Sequence, residues 1–371
     1  MARGRARGRP PAATEARGRA FATVDVDIRA RLDESASMSI EDARSAWNRC
    51  RHDPARSAGH YESYFQRANH PTRPLGFWIR YTIFSPEGRP QAAVGELWAI
   101  WFDGERGRIT TVKSEVPIAH CRFDRSCLAV QIGEARLHEV RLGGAATSGG
   151  HAIAWDLEYS GDERPLLLLP EGLYDSAFPK AKALVGTPNA RYVGTVSVDG
   201  EVHTIDGWVG SQNHNWGRRH TDRYAWGQVA GFDDAPDGFL ECSTAQIKVG
   251  PLWSPRLSLA VLRVDGEEYA INSLARAALA DGRWSYFGWT LRTRQHGVEI
   301  AVEITAPRAS FVGLRYANPP GGSKTCLNTK LASARVTLRR PGRPERRLHS
   351  AQRAAFEILT DDASHGVPVV A

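Results

Sequence analysis

The residues best suited to chemistry crowd into Gly210–Gly217 (GSQNHNWG), where Gln212, Asn213, His214, Asn215 and Trp216 follow one another between two glycines. These are residue types for moving a proton and for holding a polar group. The flanking glycines permit a tight or positive-φ entry and exit. A plainer reading makes the segment a strand end or corner whose His and Asn satisfy buried backbone groups. Directly downstream, Tyr224–Asp234 (YAWGQVAGFDD) sets Tyr224, Trp226 and Gln228 on one face of a strand. That face offers either a flat ligand surface with hydrogen-bonding groups or an ordinary aromatic core. Phe239–Glu241 then carries a carboxylate among apolar neighbours. Burial there raises its pKa and keeps it protonated as an acid, whereas a place at a water-facing strand edge leaves it ordinary.

The elements that must position these residues read as strands. Gly76–Phe84, Gln91–Asp103, His151–Tyr159, Arg191–Val198 and Glu201–Val209 are rich in β-branched and aromatic residues, and the second half continues in the same way to Ala334–Leu338. Asp199-Gly200 and Asp265-Gly266 mark tight hairpins, because both turn positions tolerate positive φ. In Leu97–Phe102 (LWAIWF) both faces of the strand are apolar, so one face looks into a core or cavity and the other packs on neighbouring structure. Ser39–Cys50 alone reads as a helix, with Ser39 as N-cap, acidic residues in its first turn, and Trp47 four places after Ala43.

With 371 residues the chain can form two domains, each burying its own core. The formal charge is +7, of which +5 comes from six Arg and one Glu in residues 1–19, leaving a body of +2. A broad basic surface for phosphates is therefore not expected. The Arg-rich arm should be disordered, and its Arg7–Pro10 (RGRP) resembles an AT-hook core, the one feature suited to nucleic acid. Five cysteines without a CxxC pair read as reduced thiols, and Cys326 as a buried structural one. No signal-peptide core and no apolar run near the roughly 20 residues of a membrane span is present, so a cytoplasmic location is expected. His203, His214 and His220 are close in sequence, but without HExxH or paired Cys no metal site is expected, and no GxSxG, P-loop or GxGxxG segment implies a nucleotide cofactor.

The order of GELWAIWFD (95–103), VDGEVHTIDGWVGSQNHNWG (198–217), YAWGQVAGF (224–232) and NPPGGSKTCLN (318–328) resembles the hydroxyneurosporene synthase (carotenoid 1,2-hydratase) and tocopherol-cyclase-like superfamily, over roughly Tyr61 to Leu338. The resemblance implies two consecutive lipocalin-like barrels acting without cofactor on long isoprenoid or polyene substrates. Hydration and ring closure in that group begin with protonation of an alkene, which needs a poised acid and a cation-stabilising aromatic face. The family's His-x-Trp pair falls on His214 and Trp216. Its Tyr-x-Asp element has no counterpart; Phe239-Leu240-Glu241 keeps a carboxylate and loses the phenol.

The reading that results is an all-β protein: a disordered arm over 1–35, a short helix, and two antiparallel lipocalin-like barrels over 36–217 and 218–371, with the GSQNHNWG segment near their junction. His214 would be general acid/base or orienter, with Glu241 or Asp233 as carboxylate partner. Trp216, Tyr224 and Trp226 would line the cavity, and Gln212, Asn213, Asn215 and Gln228 would bind substrate. The function expected is hydration, cyclisation or isomerisation of an apolar isoprenoid-, polyene- or polyketide-like molecule in a β-barrel cavity. Its rivals are a non-catalytic lipid or pigment carrier and a DNA-associated protein using the RGRP arm.

Overall fold

The computed structural model describes Met1 and residues 38–370, so the arm and its RGRP element lie outside the described residues. After the helix Ile40–Asn48, capped by Ser39 accepting from the Asp42 N–H at 3.0 Å, nearly everything is antiparallel strand. Strands between His60 and Gly217 make one twelve-stranded sheet, and those between Arg223 and Thr360, apart from the short pair Lys248–Val249 and Leu252–Trp253, a ten-stranded one.

Both sheets use one plan. Each ends in a long hairpin, Ala181–Val198 with Glu201–Gly217 in the first sheet and Ser323–Arg339 with Arg346–Thr360 in the second. The last strand of each hairpin turns back to pair with the first strand of its own sheet, His60–Asn69 or Arg223–Ala230. Register shifts interrupt both hairpins, adding the local twist that lets strands of 15 to 18 residues coil around a barrel. The first barrel closes where Arg108–Pro117 meets Arg141–Ser148, with Ser148 Oγ accepting from the Lys113 N–H at 3.0 Å and Ser114 Oγ accepting from the Thr147 N–H at 3.1 Å. Local chemistry decides the turns: Asp199 and Gly200 both have positive φ (52° and 88°), as do Asp265 and Gly266 (55° and 76°).

The doubly apolar strand Val94–Asp103 serves two cores. Leu97, Ala99 and Trp101 point into the first barrel, whereas Trp98, Ile100 and Phe102 join Phe65, Trp78, Trp226, Leu314 and Leu359 in a cluster between the barrels. Aromatic side chains bury on the order of 150–250 Å² each, so this contact resembles a domain core more than a loose interface. Each barrel interior is itself filled: Phe77, Tyr81, Trp155 and Tyr192 pack the first, Trp289, Leu327 and Phe356 the second.

The segment Gly210–Gly217 is not a corner. It is the last half of the continuous strand Glu201–Gly217. Neither Gly210 nor Gly217 has positive φ; each is needed for closeness, because a Cβ on Gly210 would stand 1.7 Å from the Arg67 carbonyl oxygen and one on Gly217 2.5 Å from that of Lys180.

Candidate functional site

A cavity of about 290 Å³ lies between the two barrels. The sequence points both to a barrel lumen and to the junction beside Gly210–Gly217, and the cavity is at the junction. Aromatic side chains pack both lumens, and the cavity lies where the outer faces of the two curved sheets meet. Period-two alternation aims the wall residues: Phe65 on His60–Asn69, Trp78 and Arg80 on Leu75–Ser85, and Asn213 and Asn215 on Glu201–Gly217 face the second barrel. From the other side Tyr224 and Trp226 face back from Arg223–Ala230, with Glu241 beside them on Phe239–Gln246 and Glu357 on Arg346–Thr360.

Glu241 is 2 % exposed. Its Oε1 accepts from the Trp226 indole N–H at 2.7 Å and its Oε2 from the Gln228 amide at 2.8 Å. Burial pushes its carboxyl up to about 7, even though the two donors and the charge of Arg67 pull the other way. A carboxyl with that value exists in both protonation states near neutrality and can deliver a proton into the cavity.

Gln228 holds this arrangement. Its Nε2 also donates to Asn213 Oδ1 at 2.7 Å, and its Oε1 accepts from Arg67 Nε and Ser211 Oγ, each at 2.7 Å. All four hydrogen-bonding positions are used, which leaves Gln228 none for a substrate. Arg67, wholly buried, reaches across to the Arg353 carbonyl oxygen at 3.1 Å and so ties the barrels together behind Glu241.

His214 borders the cavity, but both ring nitrogens are occupied: Nδ1 lies 3.0 Å from the Trp47 carbonyl oxygen and Nε2 2.8 Å from Glu62 Oε1. Burial lowers the imidazole's pKa, against the pull of the Glu62 carboxylate. Glu62 is buried, which by itself raises a carboxyl. Hydrogen bonds from His214 and His60 outweigh that and hold it well below the usual range. The Tyr64 hydroxyl and the backbone N–H groups of Arg51 and His52 also donate to it, at 2.8–3.0 Å. This cluster pins the helix Ile40–Asn48 and the chain after it onto the end of the first barrel. Neither ring nitrogen of His214 is therefore free for a substrate.

The remaining expected residues separate. Asn213, Asn215, Tyr224 and Trp226 line the cavity with Glu241. Gln212 instead exchanges two hydrogen bonds with Asn48, at 2.9 and 3.1 Å, and Trp216 packs on Tyr174 and under Arg51. Asp233 does not reach the site. Its side chain is 38 % exposed and accepts from Arg353 Nη2 at 2.6 Å and the Ala351 N–H at 2.8 Å, as a brace for the turn where it sits. Cys326 is fully buried, its thiol pushed up by burial and by Glu357. Among the described residues no group of three His, Cys, Asp or Glu is arranged to hold a metal.

Sequence reasoning did not single out Glu62, Arg67, Arg80, Lys330 and Glu357, and weighed His220 only as a metal ligand. Arg67, Arg80 and Lys330 did carry a signal: each is a cation inside a strand whose neighbours are otherwise strand-core types (SYFQRAN, GFWIRYTIF, CLNTKLAS). Lys330 is fully buried, donates to Glu357 Oε1 and Asn328 Oδ1 at 2.8 and 2.7 Å, and sits 5.5 Å from the Trp226 ring centre. The His220 imidazole stacks on Tyr61 at 4.0 Å, and its Nε2–H donates to the Ala317 carbonyl oxygen at 3.2 Å. Burial, aided by Arg80, holds its pKa down at about 3, so it is neutral, with Nδ1 unprotonated and unpartnered among the described residues.

Fold and site together define a double lipocalin-like barrel with an acid-bearing cavity between its halves. No family model and no curated protein sequence matches the chain. Solved structures do share the fold. A candidate AttH protein of Nitrosomonas europaea is 12% identical, with a TM-score of 0.52 and coverage of 81% of this chain and 92% of that one. Kievitone hydratase from Nectria haematococca is 11% identical, with a TM-score of 0.51 and coverage of 82% and 89%. At such identities the likeness establishes the fold. Among the described residues, no helix is long and apolar enough to cross a membrane.

Proposed function

We propose that this chain is an enzyme that adds water to, cyclises or isomerises an alkene in an apolar molecule of isoprenoid, polyene or polyketide type, by acid catalysis and without a redox cofactor. The observation that carries the reading is Glu241, a carboxyl raised to about 7 at the wall of a largely apolar cavity. Its proton passes to an alkene carbon, and the π electrons form the new C–H bond and leave a carbocation. The faces of Trp226 and Phe65 in the same wall favour that charge. Water, an internal hydroxyl or loss of a neighbouring proton then discharges the cation, giving hydration, cyclisation or isomerisation. In each case the proton released returns to the Glu241 carboxylate, which restores the acid. That a hydratase shares the fold makes hydration the first reaction to test.

The test is incubation of wild type and Glu241→Gln with polyprenols, polyprenyl quinols and polyenes in deuterium oxide, followed by mass spectrometry. Deuterium on carbon, with or without a gained water, in wild type and not in the variant is the expected result. Ligands retained by both proteins with no deuterium incorporated would instead make the chain a carrier.

A further inference from the structure

The cavity wall holds more positive charge than the protein neutralises. Arg80 is 4 % exposed and borders the cavity, yet no carboxylate oxygen of the described residues lies within 4 Å of it. Among the described residues one Nη2 hydrogen bond, to Ser63 Oγ at 2.6 Å, is the guanidinium's only polar contact, and it lies over the Tyr316 ring at 4.5 Å. Its Nε is buried without a partner, as is the indole Nε1 of Trp78, the next outward-facing residue on the strand. Lys182, also on the cavity, donates to the carbonyl oxygens of Ser176 and Pro179, at 2.9 and 2.6 Å, with Asp175 as a more distant counter-charge. Burying a cation without an anion is costly, and leaving donors unpaired adds to that cost. The facing carboxylates do not relieve Arg80: Glu357 is committed to Lys330, and Glu241 is held by Trp226 and Gln228.

We propose that Arg80 is the anchor for a carboxylate on the substrate, so that the cavity takes an apolar acid whose head lies on Arg80 and whose tail runs along Trp226 and Leu259. The assignment rests on the same cavity as the catalytic reading and narrows its substrate to monoanionic molecules. A guanidinium suits this task, since it stays charged when desolvated and offers several donors to a planar carboxylate.

The experiment is fluorescence titration of the full chain with cis-parinaric acid and with its methyl ester, which differ only in the charged head. Wild type should bind the acid at least about tenfold more tightly than the ester, the size of one charge-assisted contact. Arg80→Gln should abolish that preference and Arg80→Lys should retain part of it. Palmitic and geranylgeranic acids, used as competitors, distinguish a straight tail from a branched one, and each that displaces the probe supports the carboxylate head. Equal binding of acid and ester to wild type, a preference that survives in Arg80→Gln, or binding of neither probe overturns the assignment. The wild-type comparison stands even where a variant fails to fold. Binding is read without turnover: absence of the acid preference in wild type with deuterium transfer intact sinks this inference alone, and an acid preference in wild type without transfer sinks only the catalytic one.

Discussion

Gln228 Nε2 stands 2.8 Å from Glu241 Oε2, while Oε1 of the same amide accepts from Arg67 Nε at 2.7 Å. One neutral side chain thus separates a buried carboxyl from a buried guanidinium that would otherwise pair with it and lower its pKa. The spacing keeps Glu241 in reach of a proton near neutrality, where a direct ion pair would hold it ionised.

Replacing Trp226 by Phe removes the 2.7 Å donor on Glu241 Oε1 and leaves an aromatic ring in place. That donor favours the ionised form, so Trp226→Phe should raise the carboxyl above about 7. Activity that depends on protonated Glu241 falls as pH rises through its pKa. The basic limb of the pH–rate profile should therefore move to higher pH in the variant, and an unmoved limb would assign the limb to another group.

Stability should report the same carboxyl. Its folded value of about 7 exceeds the ordinary 4.5, so the folded state binds the proton more tightly than the unfolded chain does. Below about pH 4.5 both states are protonated and there is no penalty. Between there and about pH 7 the folded state progressively loses stability, by up to about 3 kcal/mol. Urea denaturation across this range should show the decline in wild type and a flatter profile in Glu241→Gln.

Glu62 should behave oppositely. Its lowered carboxyl contributes stability that is complete above the ordinary value of 4.5 and is lost as pH falls below it. Glu62→Gln removes the anion that His214, His60 and two backbone N–H groups share. The expected loss is about 3–5 kcal/mol, with amide exchange accelerated most over residues 40–52. A variant as stable as wild type with a firmly protected helix would remove the cluster's assigned role.

Gly210→Ala and Gly207→Ala form a matched pair on one strand. A Cβ at Gly210 collides with backbone at 1.7 Å, whereas at Gly207, with φ 63°, nothing stands within 4 Å. Gly207→Ala should cost only about 1–2 kcal/mol of left-handed strain. Gly210→Ala must push His60–Asn69 away from its neighbour and should lose more than about 3 kcal/mol, or the barrel altogether. Thermal melts of the two proteins decide it.

Features that depend on near neighbours along the chain could be read directly from the residues. The strands, the Asp-Gly hairpins and the Ser39 cap are local, since β-branching, positive-φ tolerance and a side-chain oxygen act within a few residues. Period two put Tyr224, Trp226 and Gln228 on one face, and the apolar neighbours of Glu241 marked it as a carboxyl open to burial. Tertiary structure alone decided which faces meet. It set the cavity outside the barrels, brought Glu62 onto His214 across 152 positions and Gln228 onto Arg67 across 161, and left Asp233 at the surface eight residues before Glu241. The reason is physical: a strand pattern says that one face is buried but not against what, and a hydrogen bond between distant strands depends on barrel closure and docking, which no window of sequence contains.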